Sequence, residues 1–173
     1  CLAQLPDTKT WEEKQNGSSF ISKNICAGGT AAAASALAAP VVAGSHARKL
    51  TMVTSWGRGL AGVFDAAVQT ANNINAISDG TLEVEVKAAG ELVGAFEVFD
   101  AVSSGQADMY HSADYYFIGQ HPGYAYFTAV PFGATAQELT NWYHHGGGQE
   151  LHDELGQIFG LKSVLAGNSG SQS

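Results

Sequence analysis

From residue 49 onward the apolar positions alternate between a period of two and a period of three to four. Residues 49–55 (KLTMVTS) set Leu50 and Met52 among β-branched neighbours, which predicts a strand. Trp56-Gly57-Arg58-Gly59 breaks it. Val63, Phe64, Ala67, Val68, Ala71, Ile74 and Ile77 then recur on one face of a helix. Ser78-Asp79-Gly80 ends that helix, with Gly80 suited to a left-handed C-terminal position. In residues 81–87 (TLEVEVK), Leu82, Val84 and Val86 alternate with Glu83 and Glu85, a strand with one face inward. Strand, helix and strand in this order make a βαβ unit with a right-handed crossover.

The alternation continues after a loop at residues 88–94. A helix over 95–103 is expected to bury Phe96, Phe99 and Val102, and residues 107–111 form a short third strand. Two aromatic-rich stretches follow, 114–117 and 124–127, closed by Pro131-Phe132-Gly133. Thr135 with Glu138 predicts a capping box, opening a helix that runs to His145. Gly146-Gly147-Gly148 interrupts it, a second helix carries Leu151, Leu155 and Ile158, and residues 161–166 read as a last strand. The fold class is therefore α/β. The triple glycine neither follows a strand nor precedes a Lys-Ser/Thr pair, so it reads as a helix break and not as a phosphate cradle. Of His144, His145 and His152, only the last two share a helical face, and no carboxylate motif accompanies them; they read as solvated or helix-end residues.

The front of the chain changes the picture. Residues 20–47 hold an uncharged, Ala-dominated run, then Pro40 and small residues, the pattern of a secretory signal peptide cut after Ala43 or Ala47. Ser22-Lys23 behind Phe20-Ile21 is similar to a twin-arginine signal, but the arginine pair is missing. Residues 1–19 fit no signal region and stand apart as an upstream segment. Cys1 and Cys26 both precede the expected cleavage, so no disulfide is expected in the mature part. Hydrophobic residues make up 45% and charged residues 14%, enough apolar surface for a packed core. The formal net charge is −8, and residues 48–173 carry all of it, with five basic against thirteen acidic residues. Such acidity disfavours nucleic acid and anionic lipid, and no membrane insertion of the mature chain is expected.

The run LTMVTSW at 50–56, SDGTL at 78–82, AAGELV at 88–93, FEVFDAVS at 96–103, GQADM at 105–109 and FTAVPFG at 127–133 resembles the solute-binding subunits of TRAP (tripartite ATP-independent periplasmic) transporters. Gly146-Gly147-Gly148 with Glu150-Leu151, and Ala166-Gly167-Asn168 with Gly170 and Gln172, resemble the branch that binds 2-oxo acids such as pyruvate. The likeness covers residues 49–173. It implies a periplasmic-binding-protein-like two-lobed fold, of which this chain supplies mainly lobe one. It further implies a periplasmic subunit that hands a small carboxylate to TRAP membrane subunits in a sodium-driven transport cycle. No catalytic cofactor is expected.

Open α/β sheets bind ligands at the carboxyl ends of their strands. Trp56 ends the first strand, and Tyr115 and Tyr116 follow the third, where phenol hydroxyls can reach a carboxylate while the rings exclude water. Glu91 and Phe96 flank the loop after the second strand. The resemblance adds Asn168 and Gln172; the latter is similar to a glutamine whose amide oxygen holds a sodium ion bridging to the ligand. A ligand-clamping arginine is implied just beyond such a glutamine, past Ser173. Two other readings stay open. One is a ligand-sensing domain on the same fold. The other is a serine hydrolase, although Gly167-Asn168-Ser169-Gly170-Ser171 is not a nucleophile elbow.

Overall fold

A computed structural model of the chain describes residues 47–128 and 130–169. The upstream segment, the export segment up to residue 46, both cysteines and Gln172 lie outside the described residues. Strand β1 is Arg48–Thr54, β2 is Leu82–Lys87 and β3 is Met109–His111. Helix α1 (Val63–Ile77) connects β1 to β2, and α2 (Val98–Ser103) connects β2 to β3. After β3 come two 3-10 turns, Asp114–Phe117 and Pro122–Phe127, then α3 (Ala136–His145) and α4 (Gly148–Gln157).

The three strands form one sheet in the order β2-β1-β3, parallel throughout, with Met52 of β1 level with Val86 of β2 and Met109 of β3. The centre falls to β1 because its residues are apolar toward both faces. Met52 packs with Ala67, Ala71 and Val84, and Val53 joins Phe99, Tyr110 and Phe117 on the opposite side. Ala67 and Ala71 are small, which lets α1 lie close on the sheet. The other face is aromatic: Phe99 lies 5.1 Å from Phe117, 5.6 Å from Tyr124 and 5.2 Å from Phe159, centroid to centroid. On edge strand β2, Glu83 and Glu85 point to water while Val84 is buried. Asn75 covers that edge. Its Oδ1 accepts from the Val84 N–H at 2.7 Å and its Nδ2 donates to the Val84 carbonyl at 3.4 Å, so the outward ladder groups of that residue are satisfied.

The predicted βαβ unit is present, and so is the capping box: Thr135 Oγ1 accepts from Glu138 N at 3.3 Å while Glu138 Oε2 accepts from Thr135 N at 2.8 Å. The triple glycine does break the helix. Gly147 adopts φ 86°, and a Cβ at Gly148 would stand 2.7 Å from the Trp142 ring, so this turn admits the indole only because side chains are absent.

Four expectations need correction. The helix expected over 95–103 starts at Val98, because Glu97 first closes a turn by accepting from Gly94 N at 2.7 Å. Phe96 therefore stands outside the helix and is exposed, not buried. Residues 161–166 form no strand. Leu161 and Ser163 are buried and Lys162 and Val164 exposed, so the alternation is real, but the segment packs against α4 and has no ladder partner among the described residues. His145 and His152 share no helix, since one ends α3 and the other lies within α4. His152 is not solvated: it is 2% exposed, stacked on Phe127 at 4.2 Å. His144 and His145 are exposed.

Candidate functional site

The order β2-β1-β3 reverses direction between β1 and β3. The connection from β1 runs to one side and the connection from β2 crosses to the other, which makes the carboxyl ends of β1 and β3 a topological switch point, where open α/β sheets bind ligands. The residues that leave those ends are Ser55 and Trp56 after β1, and His111 and Ser112 at the end of β3.

These four are locked together. The backbone N–H of Ser55 donates to the His111 carbonyl at 3.2 Å, extending the β1–β3 ladder by one bond. Ser55 Oγ lies 2.6 Å from the Ala95 carbonyl, to which it donates, and 2.6 Å from Ser112 Oγ. With the Ser55 proton committed to Ala95, the Ser112 hydroxyl is the donor of the pair. The Trp56 indole N–H donates to His111 Nδ1 at 2.8 Å. An indole can only donate, so His111 carries its own proton on Nε2. Burial pushes this imidazole down to about 4, which keeps it neutral. Trp56 itself is 8% exposed, and its carbonyl accepts from Ala89 N at 2.9 Å and Thr54 Oγ1 at 3.0 Å.

An aromatic wall is built on this base. Tyr116 lies 6.0 Å from the Trp56 ring, 5.1 Å from Phe96 and 4.5 Å from Tyr115. The Tyr116 hydroxyl is pushed up to about 12 by the adjacent Tyr115 hydroxyl and by burial, so it stays a neutral donor. Trp56, Phe96, Tyr115 and Tyr116 of the sequence-predicted set thus come together. Ser55, His111 and Ser112 belong with them and were missed; the signal available was their position at the ends of two strands that turn out to be neighbours.

Glu91 is engaged by an arginine. It forms a two-pronged pair with Arg58, whose Nη2 lies 2.8 Å from Oε2, and the same oxygen accepts from Ala88 N at 3.0 Å. The hydrogen bond from Arg58 and the one from the Ala88 amide hold the Glu91 carboxyl below its ordinary value. The pair ties the loop after β2 to the loop after β1. Asn168 is exposed. Lys49, Arg58, Lys87 and Lys162 are each paired with a carboxylate, and Arg48 begins β1 at the opposite end of the sheet. The wall therefore offers hydroxyl donors and apolar ring faces, not a cation. Among the described residues no group of three His, Cys, Asp or Glu side chains is placed to hold a metal ion, and no helix is long and apolar enough to cross a membrane.

Residues 60–173 match the family described as bacterial extracellular solute-binding protein, family 7. A monocarboxylate 2-oxoacid-binding periplasmic protein of Nostoc sp. (strain PCC 7120) is 36% identical over 121 residues, which is 70% of this chain and 33% of that protein. A TRAP periplasmic solute-binding protein of Pseudoalteromonas atlantica T6c, solved with bound sodium and pyruvate, superposes with a TM-score of 0.66 at 36% identity. One of Colwellia psychrerythraea, solved with bound calcium and pyruvate, gives the same score at 32% identity. Each superposition covers 68% of this chain and 36% of the other. The chain thus spans about a third of the length of the relatives it matches. With its parallel sheet, its switch point and this agreement along two thirds of its length, the chain belongs to family 7 of the bacterial extracellular solute-binding proteins.

Proposed function

We propose that this chain is lobe one of the exported, periplasmic solute-binding subunit of a sodium-driven TRAP transporter, and that it captures a small organic acid, a 2-oxo acid such as pyruvate in the first place. The observation that carries the reading is the aromatic wall at the β1–β3 switch point, in a chain two of whose relatives were solved with pyruvate and a cation bound. A three-carbon acid needs a short apolar wall for its methyl end and donors for its oxygens. Phe96 and Trp56 supply the first, and the paired hydroxyls of Tyr115 and Tyr116 supply the second.

The negative charge of the ligand still needs a counter-charge, because an unpaired carboxylate in a closed cleft is costly. On this reading a sodium ion held by the Gln172 amide oxygen, with Asn168 nearby, supplies part of it. An arginine beyond Ser173 supplies the rest through a two-pronged fork. A second lobe closes over the wall and expels water, and the loaded protein docks on the TRAP membrane subunits. Capture without chemistry fits the hydrogen bonds at these strand ends. The Ser55 and Ser112 hydroxyls are both donors within a closed chain ending on Ala95, and the basic nitrogen of His111 is already taken by Trp56. No serine of the pair is positioned against a free base.

The test is a thermal-shift screen of the natural full-length mature protein against small carboxylates, with and without sodium. At a hundredfold excess over Kd a ligand stabilises by about 2.7 kcal/mol, readily seen as a rise in Tm. A sodium-dependent rise with pyruvate or a related 2-oxo acid is expected. Flat melting curves with every carboxylate tried would overturn the ligand class.

A further inference from the structure

Away from the cleft, the aromatic core contains a buried polar group that the binding site does not use. Asp114 is the first residue of the 3-10 turn that carries Tyr115 and Tyr116, and it is 7% exposed. His152 of α4 lies 3.5 Å from Asp114 Oδ2 through Nε2 and 2.8 Å from the Tyr143 hydroxyl of α3 through Nδ1. Phe127 stacks on the His152 ring with an interplanar angle of 11°, fixing its plane. Asp114 Oδ1 and the hydroxyls of Tyr110 and Tyr124 are buried without a hydrogen-bond partner. A polar arrangement this incomplete in the core costs stability relative to an apolar one of the same shape. It is therefore a poor device for stability and a good one for fixing one geometry.

We propose that Asp114 and His152 are positioning residues for ligand binding: the Tyr143–His152–Asp114 chain ties the α3–α4 pair to the turn that presents Tyr115 and Tyr116 to the cleft. The Tyr143 hydroxyl, kept protonated by burial, donates to Nδ1, which leaves the Nε2 proton to face Asp114. The constraint then passes one residue along the backbone to Tyr115 and two to Tyr116. The same chain couples the site to α4, whose outer face shares an apolar groove of about 500 Å³ with Tyr126, Phe127 and Trp142.

The inference rests on the carboxylate-binding reading for its consequence, but its geometry can be tested alone. The full-length protein is labelled with 3-fluorotyrosine, resonances are assigned by single Tyr→Phe changes, and His152→Gln is compared with the parent. His152 is remote in sequence from the tyrosines, so a shift at Tyr115 and Tyr116 with the exposed Tyr126 unmoved is the expected result. Pyruvate affinity, measured by calorimetry, is expected to fall at least tenfold in His152→Gln and in the near-isosteric Asp114→Asn. That loss is expected to vanish when either change is made in a Tyr115→Phe/Tyr116→Phe background. Unmoved Tyr115 and Tyr116 resonances beside a lowered Tm would overturn the proposal and leave a purely structural network. So would an equal affinity loss in both backgrounds. A parent protein that takes up no 2-oxo acid sinks the ligand reading, and the fluorine resonances then decide the positioning role by themselves.

Discussion

Acid loads the Trp56–His111 contact in a way that can be calculated. His111 is 7% exposed, its Nδ1 holds the Trp56 indole proton, and its imidazole is pushed down to about 4 by burial. At pH 7 the ring is neutral in the folded and the unfolded chain and contributes nothing to the pH dependence. Below about 6.5 the unfolded chain binds a proton that the folded chain refuses, so stability falls with pH, and the loss is complete once the pH passes about 4. The gap between the two values corresponds to about 3 kcal/mol. Glutamine at this position keeps an amide oxygen for the Trp56 N–H and does not titrate. Urea unfolding of the parent and of His111→Gln, followed by tryptophan fluorescence from pH 7 to pH 4, therefore isolates the term. Burial also lowers His152, which adds a loss of the same sign, and raises Asp114, which adds a gain as pH falls. Both are common to the two proteins and drop out of the difference. The parent is expected to lose about 3 kcal/mol relative to the variant across this window. Two parallel stability profiles, or a His111 resonance titrating near the ordinary histidine value, would refute the reasoning.

Two further outcomes follow from local geometry. In Gly156→Ala the new Cβ would stand 2.5 Å from the Leu161 carbonyl oxygen, a backbone atom with little room to move. A loss of about 1–3 kcal/mol in urea unfolding is expected, and an unchanged midpoint would mean that α4 and residue 161 separate easily. Glu91→Gln breaks an exposed pair with Arg58, so its Tm should differ from the parent's only slightly, and the difference should shrink in high salt. A large, salt-independent loss would instead give Glu91 a role beyond tying the two loops together.

How much of the site could be read beforehand depended on the range of the interaction that fixes each residue. Trp56, Tyr115 and Tyr116 follow the ends of strands, and strand ends are legible from local periodicity. Ser55, His111 and Ser112 were not legible, because their meaning lies in contacts across fifty-five to fifty-seven positions of chain. The spacing of Phe96 from Phe99 predicts a helix there, yet the Gly94–Glu97 turn delays the helix and leaves the ring against Tyr116. His152 misled for a similar reason. Its helix is polar on average, and only the packing of α4 over Phe127 and Tyr143 shows that this one polar position faces inward.

By itself the sequence determined the α/β class, the βαβ unit, the cap on α3, the break before α4 and the acidic balance. Each of these follows from spacing or chemistry within a few residues, where steric preference and burial period decide the outcome. The tertiary structure alone decided that β3 pairs on the far side of β1 from β2, which creates the switch point. It also decided that residues 161–166 have no ladder partner among the described residues, that Asn75 covers the edge of β2, and that Asp114 and His152 meet in the core. Those outcomes depend on which surfaces meet after the chain has folded back on itself. The local pattern constrains that choice only through the volumes and hydrogen bonds that must be satisfied once the elements pack.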